Sequence, residues 1–171
     1  MHTRWKPSVT VAAVIERDGL FLLVEEHTPE GLRLNNPAGH LEAAESPAEG
    51  CAREVLEETA HPFTATALVG VYLSRFQRQR VRAPAEAPVT EDTTYLRFTY
   101  CGDLGPQDTS RPLDHGIVRT VWMSADEIRQ STARHRSPLV LQCLEDYLAG
   151  QRFPLHLVHT GRDVYAPPDS L

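Results

Sequence analysis

Three carboxylates stand close together in the sequence, at a spacing that one helix would turn into a single acidic face. Glu54, Glu57 and Glu58 fall within an arc of about 100° on an α-helix. Like charges placed this way repel one another, so the face is hard to explain as a source of helix stability. Mg²⁺ prefers oxygen ligands and shares them with substrate phosphates. The spacing therefore predicts a divalent-cation site, and the ordinary alternative is a solvated acidic face.

The same segment carries the signals of a helix that begins shortly before the acids. Ser46-Pro47-Ala48-Glu49 has the pattern of a capping box with proline at the first helical position, so the helix should begin at about Pro47. A stripe of small and aliphatic residues repeats at helical spacing and predicts the buried face. It consists of Ala48, Cys51, Ala52 and Val55. The acidic face is thus separate from the buried one.

Arg53 lies between the buried stripe and the acids. It is four residues before Glu57 and four residues after Glu49, so on a helix its guanidinium can pair with both carboxylates. We expect it to hold Glu57 in one rotamer. Arg53 is therefore a candidate catalytic-site residue beside the acids.

The spacing of seven residues in and before this helix resembles the Nudix box, Gly-x5-Glu-x7-Arg-Glu-U-x-Glu-Glu-x-Gly-U, where U is aliphatic. The matching residues are Gly39, Glu45, Arg53, Glu54, Val55, Glu57 and Glu58. Two positions depart, because Ala60 stands for the closing glycine and His61 for the last aliphatic residue. If Ala60 kept the left-handed conformation that favours glycine, the cost would be about 1 kcal/mol. Pro62 can end the helix instead.

Segments outside the box are similar to those of bacterial NudJ-type phosphatases, and the resemblance extends over about residues 8–157. These segments are residues 8–14, 21–26, 36–42, 122–128, 136–140 and 150–155. The resemblance implies a Nudix α/β/α sandwich with a mixed sheet, in which the box helix lies beside the active site.

The resemblance also implies roles for the box residues. Glu54, Glu57 and Glu58 would bind one to three Mg²⁺ ions, with Mn²⁺ able to substitute, and the carbonyl oxygen of Gly39 would be a further ligand. Such ions neutralise phosphate charge, position the substrate and activate water. Phosphoanhydride hydrolysis needs all three effects.

The residue that takes a proton from the attacking water is left open by the pattern. Many relatives place a late acidic residue where this chain has Gly116. Glu54 and Asp114 are the leading candidates for this general base. The alternatives are His115, Glu91 and Asp92.

Other residues are candidates for supporting the metal or for binding substrate. By resemblance, Glu45 would brace the loop before the helix, and His40 would lie beside the metal. Arg33, Arg75 and Arg78 could clamp outer phosphates with their guanidinium groups. For each of these arginines the ordinary alternative is a solvated surface side chain.

These features predict an enzyme, a metal-dependent hydrolase of the phosphoanhydride bonds of nucleoside di- and triphosphates and related small pyrophosphates, including a thiamine-precursor pyrophosphate. One alternative is a Nudix pyrophosphatase acting on ADP-ribose, a nucleotide sugar or a dinucleotide. A second is a non-catalytic nucleotide sensor, which is disfavoured because the box carboxylates are all present. The expected partner is a small phosphorylated metabolite, a nucleotide, and the oligomeric state is left open.

Composition limits the remaining classes of function. The chain has 171 residues and is expected to form one domain, residues 1–171. Its net charge of −6 argues against a partner that is a nucleic acid polymer. It has no apolar run long enough to span a membrane and no secretory leader. Cys51, Cys101 and Cys143 are few and widely spaced, which suits the cytoplasm.

Patterns along the chain predict the elements that hold these residues. Strands are expected near residues 9–16, 20–25, 63–75, 95–101 and 118–123. A short helix should follow Ser124, and a longer one should follow Ser137. This arrangement predicts an α/β or α+β domain with a mixed sheet.

Two segments are expected to be less regular. Residues 78–93 contain Pro84, Pro88 and several small residues and predict a mobile loop, which is either a surface excursion or a lid over the substrate. Residues 162–171 include Pro167-Pro168 and predict a weakly ordered tail.

Overall fold

A computed structural model describes residues 4–80 and 89–166, without the side chains of residues 78–80 and 89. The strands are β1 (Ser8–Val14), β2 (Glu16–Arg17), β3 (Leu20–Thr28), β4 (Gly31–Asn35), β5 (Ala38–His40), β6 (Phe63–Arg80), β7 (Val89–Leu104) and β8 (Ile117–Ser124). The α-helices are α1 (Pro47–Thr59), α2 (Ala125–Gln130) and α3 (Leu139–Leu148). Three short 3₁₀ helices lie at Thr132–Arg134, Leu155–Leu157 and Arg162–Tyr165.

The strands form two sheets. The first has the order β5-β1-β7-β6 and is mixed, because β1 runs parallel to β7 while the other pairs are antiparallel. In the second sheet β3 pairs antiparallel with β2, β4 and β8. The mixed sheet of the predicted fold is therefore present.

Helices cover both sides of the strands and enclose two apolar cores. The core beneath α1 contains Val11, Ala13, Ile15, Leu22, Cys51, Val55, Phe63, Leu68 and Tyr100. The core beneath α2 and α3 contains Val14, Phe21, Leu23, Leu34, Ile128, Val140, Cys143 and Leu144. Consecutive residues of β1 point to opposite sides, so Ala13 enters one core and Val14 the other. The predicted α/β/α sandwich is confirmed.

Local hydrogen bonds set both ends of α1. The helix begins at Pro47, as predicted, with a reciprocal capping box between Ser46 and Glu49. It ends at Ala60, which adopts the left-handed conformation (φ 58°, ψ 22°) and donates its N–H to the carbonyl of Leu56. Ala60 is buried. The position thus keeps the backbone conformation that favours glycine, and Pro62 follows it.

The long hairpin of β6 and β7 corrects the expectation for residues 78–93. The two strands pair continuously from Phe63↔Leu104 to Arg80↔Val89, so residues 78–80 and 89–93 are strand and not loop. The hydrogen bonds between the two strands satisfy the backbone N–H and C=O groups whether or not the side chains are apolar. The composition of the segment therefore predicted the wrong ends for both strands. The middle of the expected loop, residues 81–88, lies outside the described residues.

The tail is also more regular than expected where the structure describes it. Arg162–Tyr165 forms a 3₁₀ helix, and the hydroxyl of Tyr165 donates to the carboxylate of Glu49 at 2.8 Å. This contact fastens the segment to the first turn of α1. Residues 167–171 lie outside the described residues. Within the described part of the chain, no helix is long and apolar enough to cross a membrane.

Candidate active site

Arg53 is the centre of a hydrogen-bond network at the start of the acidic face. Its Nε and Nη2 donate to the two carboxylate oxygens of Glu45 at 2.9 and 2.8 Å. Nη1 donates to Glu54 at 2.8 Å and to Glu57 at 3.1 Å. Nη2 also donates to the carbonyl of His40 at 2.9 Å. One planar guanidinium therefore connects the box helix with the strand and loop that precede it.

The expected pairing of Arg53 with Glu49 is wrong. The Glu49 carboxylate accepts the backbone N–H of Ser46 at 2.7 Å and the hydroxyl of Tyr165. The capping box and Tyr165 therefore hold the Glu49 carboxylate through Oε2, in an orientation that does not pair it with Arg53. Glu45, which lies outside the helix, takes its place as the partner of Arg53.

Two of the three acids in the predicted metal site are buried. Glu54 and Glu58 are each 8% exposed, while the side chain of Glu57 is 36% exposed. The backbone N–H of Ala38 donates to Glu58 Oε2 at 2.8 Å. A Cβ atom on Gly39 would lie 2.1 Å from the carboxyl carbon of Glu54. The strand residue facing these acids therefore has to be glycine for Glu54 to keep its position.

Burial shifts the ionisation of these acids. It raises the pKa of Glu58 to about 8, although the hydrogen bond from Ala38 lowers it. Burial also raises the pKa of Glu54, and the hydrogen bond from Arg53 opposes this change. The pKa of Glu45 is lowered, chiefly by its hydrogen bond from Arg53. The acidic face thus holds carboxylates whose negative charge is only partly compensated by protein groups.

The carboxylate oxygens of the acidic face are the type of ligand that a hard cation prefers. Within residues 4–80 and 89–166, no three His, Cys, Asp or Glu side chains converge as they would around a metal ion. Arg53 holds Glu54 and Glu57, and Ala38 holds Glu58. The carboxylate oxygens and the space left by Gly39 nevertheless fit a magnesium-type site. Rotamer changes at the three acids would be needed to bring their oxygens together.

Asp114 lies next to the C-terminal end of the acidic helix. Its N–H donates to the carbonyl of Glu57 at 2.9 Å, and its charge contributes to the raised pKa of both Glu54 and Glu58. Its own carboxylate is exposed and accepts the N–H of His115 at 2.7 Å. The structure therefore brings this sequence-predicted candidate to the acidic face.

A cavity of about 330 Å³ opens on the other side of Gly39. It lies between one face of the first sheet and the segment that precedes α3. Its lining residues are Thr10, Glu26, Asn35, Ala38, Gly39, His40, Ser74, Arg75, Phe76, Glu91, Thr93, Tyr95, Arg97, Arg136, Ser137, Pro138 and Leu139. Ala38 and Gly39 thus form a wall shared by the acidic face and the cavity.

The predicted substrate-binding arginines are only partly in place. Arg75 lines the cavity, but its guanidinium is paired with both carboxylate oxygens of Asp92. Arg33 is not part of the lining and donates to the carbonyl of Leu32 at 3.1 Å. It pairs with Glu26 across β3 and β4, so it shares a sheet face with that lining residue, and its role in phosphate binding stays a prediction. The side chain of Arg78 lies outside the described residues.

His40 contributes to both the acidic face and the cavity. Its carbonyl accepts from Arg53 on the acidic face, while its ring lines the cavity with the ring centre 6.3 Å from that of Tyr95. Sequence reasoning missed Arg97, Asn35 and Arg136 as lining residues. The polar alternation around Arg97 in its strand was the one signal that could have indicated it.

The comparisons with known proteins agree with this geometry. The model of the NUDIX domain matches residues 5–143. The chain belongs to the Nudix family. It is 36% identical over 154 residues to Phosphatase NudJ of Escherichia coli (strain K12), a match that covers 90% of this chain and 92% of that protein.

Solved structures extend the comparison. A NUDIX hydrolase from Nitrosomonas europaea is 51% identical and has a TM-score of 0.77, with 91% of this chain and 98% of that chain covered. A MutT NUDIX hydrolase from Burkholderia pseudomallei is 19% identical, has a TM-score of 0.61 and covers 83% of this chain and 98% of its own. The second likeness shows the fold alone.

Membership of the family fixes the general reaction. The protein is a Nudix hydrolase and acts on pyrophosphate bonds in small phosphorylated substrates. Nudix hydrolases generally use divalent metals. The acidic face of α1 and the adjoining cavity are where such a reaction and such a substrate would meet.

Proposed function

We propose that this protein is a Mg²⁺-dependent hydrolase of the phosphoanhydride bonds of nucleoside di- and triphosphates and related small pyrophosphates, with Mn²⁺ able to replace Mg²⁺. The observation that carries the proposal is the pair of buried carboxylates, Glu54 and Glu58, beside a glycine wall that opens into a cavity. Among the activities of the family, similarity to Phosphatase NudJ supports that of a phosphatase for this protein.

In this proposal the residues of the acidic face have two roles, metal binding and orientation of the metal ligands. Glu54, Glu57, Glu58 and the carbonyl of Gly39 would hold the metal, which when bound neutralises phosphate charge and activates water. Arg53 would keep Glu54 and Glu57 in the orientations needed for binding, since it already bonds to both.

Glu54 and Asp114 are the two proposed general bases. Glu54 lies against the glycine wall, and Asp114 lies at the far end of the same face, bonded through its backbone to Glu57. Asp114→Asn and Glu54→Gln would separate them. The variant that removes the base should lose the acidic limb of the pH dependence of kcat, whereas a variant that only weakens metal binding should recover at higher Mg²⁺.

The size of the cavity favours a mononucleotide or similarly small pyrophosphate over a dinucleotide. At about 330 Å³ it lies at the lower end of the range for small-molecule sites, which extends from about 300 to about 1,000 Å³. ADP-ribose and nucleotide sugars are the alternative substrates. A non-catalytic sensor is less consistent with the buried acids, because a protein that only binds nucleotide does not need them.

The proposed location is the cytoplasm, and the proposed partner is a small metabolite and not a nucleic acid polymer. All three cysteines, Cys51, Cys101 and Cys143, are free and buried, which supports a reducing compartment. The net charge of −6 supports the exclusion of a polymeric polyanion.

A substrate screen tests the proposed function. The purified protein would be incubated with Mg²⁺ and with nucleoside di- and triphosphates, ADP-ribose, a nucleotide sugar, a dinucleoside polyphosphate and a pyrimidine pyrophosphate. Phosphate and pyrophosphate would be detected separately, with and without EDTA. We expect EDTA-sensitive turnover of a mononucleotide or of the pyrimidine pyrophosphate. Turnover confined to the larger substrates, or turnover that survives EDTA, would contradict the proposal.

A further inference from the structure

Arg97 is a cation for which the described residues provide no hydrogen-bond acceptor at two of its guanidinium nitrogens. These two nitrogens are Nε and Nη1, and both are buried. Burial lowers the pKa of Arg97, although the nearby charges of Glu26 and Glu58 oppose this change. Leaving a charged donor buried without an acceptor is destabilising. A buried guanidinium without acceptors does not stabilise the fold, so its presence needs another explanation.

The other unpartnered polar atoms cluster around the same cavity. Among the described residues, five buried side-chain nitrogen or oxygen atoms lack a hydrogen-bond partner, and four of them belong to Arg97, Asn35 and Thr10. All three residues line the cavity. Asn35 Nδ2 donates to Glu26 at 3.1 Å, which orients the amide and leaves Oδ1 free to accept. Unused donors and an unused acceptor are therefore buried in the wall of this one cavity.

Strand register shows why these groups share one wall. Thr10 pairs with Arg97 in β7 and with His40 in β5. Paired residues of neighbouring strands direct their side chains to the same face of a sheet. Tyr95, two residues before Arg97, shares that face. Thr10 and Arg97 thus form the polar part of the wall, and the rings of His40 and Tyr95 form its flat aromatic part.

The charges around the cavity favour a neutral group over a second phosphate. Arg75 is paired with Asp92, and Arg136 lies 3.7 Å from Glu26. The carboxylate of Glu26 lies in the lining itself, so the charges of Arg75 and Arg136 are already compensated and offer little attraction to a polyanion. A flat nitrogen heterocycle offers ring nitrogens or carbonyl oxygens as acceptors, N–H groups as donors, and a face that stacks on aromatic rings.

We propose that Arg97, with Asn35 and Thr10, recognises the nitrogen heterocycle of the substrate, while the diphosphate lies at the acidic face of α1. Arg97 donates to a ring nitrogen or carbonyl oxygen, and Asn35 Oδ1 accepts from an amino or ring N–H. Since Nε and Nη1 are shielded from solvent, binding includes a shift of the guanidinium. Arg97 is thereby a specificity-determining residue, and this inference rests on the proposed function.

Binding without metal tests the inference separately from turnover. In EDTA, the protein would be titrated by NMR with adenosine, cytidine, guanosine, uridine and 4-aminopyrimidine, and with ribose 5-phosphate as the ring-free control. We expect at least one heterocycle to shift signals of Asn35 and Thr10, and Arg97→Met to weaken that binding at least tenfold. Arg129→Met removes a guanidinium on α2, far from the cavity lining, and should leave it unchanged. Equal binding by wild type and Arg97→Met would overturn the inference.

Turnover then separates recognition of the ring from action on the diphosphate. Arg97→Met should reduce kcat/KM at least thirtyfold for the best of ADP, CDP, GDP and UDP. For inorganic tripolyphosphate, which has no ring, it should change kcat/KM less than threefold. Arg97→Lys should recover part of the loss, and Thr10→Val should show a smaller one. Equal losses on both substrates would show that Arg97 acts on phosphate or on folding, contrary to the inference.

Stability provides the last control. Removing a buried, unpaired charge should leave Tm of Arg97→Met equal to or above that of the wild type. A large fall in Tm would indicate a structural role and would overturn the inference. If the wild-type protein turns over none of the substrates but still binds a heterocycle through Arg97 in EDTA, the proposed function fails while the assignment of Arg97 as a heterocycle-binding residue stands.

Discussion

The backbone N–H of Ala38 donates to the carboxylate of Glu58 at 2.8 Å, which joins β5 to the acidic end of α1. Ala38 also lines the cavity. A two-residue stretch of backbone, Ala38 and Gly39, therefore separates the acids from the place where the organic part of a substrate would lie. In the proposed function, chemistry and recognition share this wall, so changes on either side of it should be distinguishable by kinetics.

Glu57→Gln and Glu58→Gln should each reduce kcat at least about a hundredfold, because a bound metal supplies several kcal/mol of transition-state stabilisation. Glutamine keeps an oxygen that can accept from Ala38, so Tm should not fall and relief of repulsion should tend to raise it. Steady-state kinetics and thermal unfolding would measure both effects, with Glu145→Gln on α3 as the control. Activity of both variants within threefold of the wild type would refute the assignment.

Arg53→Lys should lose most of the activity. A lysine ammonium is a point charge and cannot reproduce the planar fork that bonds to Glu45, Glu54 and Glu57 together. Apparent Mg²⁺ affinity should fall with activity, as seen in the dependence of rate on Mg²⁺ concentration. Arg129→Lys is the matched control, because Arg129 bonds to both oxygens of Glu145 on the surface. An active Arg53→Lys variant with unchanged Mg²⁺ dependence would make Arg53 a surface charge.

Gly39→Ala should reduce activity by about tenfold or more while the fold survives. The new Cβ would overlap the carboxylate of Glu54, which is the movable end of a side chain, so the acid would be displaced and the backbone kept. Misplacement by about 1 Å is enough for a loss of this size. At Gly102 a Cβ would instead meet the backbone oxygen of Thr64 at 2.0 Å, and Gly102→Ala should chiefly lower Tm. The reverse pattern in the two variants would contradict this prediction.

Glu25 should make part of the stability depend on pH. Its buried carboxylate bonds to Arg119 and Arg134, and these contacts, led by the hydrogen bond from Arg119, lower its pKa below the usual range of a glutamate. A lowered folded-state pKa stabilises the protein above the unfolded value, and that stability is lost as pH falls through the folded value. Between pH 7 and pH 3, Tm of the wild type should therefore fall further than Tm of Glu25→Gln. If Tm of the two proteins falls equally, Glu25 is not a source of the pH dependence of stability.

Several features followed from short-range patterns. The start of α1 at Pro47, its separate acidic and apolar faces and the short helix after Ser124 all depend on contacts three or four residues apart, which the sequence displays directly. The extent of the β6–β7 hairpin could not be obtained this way. Its ends depend on pairing between two strands that are distant along the chain, and polar composition near residues 78–93 concealed that pairing.

The sequence by itself determined the family, helix α1 and the three acids of the predicted metal site, because the Nudix box is a local pattern within one short segment of the chain. Only the tertiary structure decided that Arg53 pairs with Glu45 and not with Glu49, since the capping box competes for the same carboxylate. It alone placed Arg97 on the wall of a cavity, with two guanidinium nitrogens that have no acceptor among the residues that the structure describes. That burial arises where a sheet face meets the segment before α3, and alternation along a strand shows which residues share a face but not what covers it.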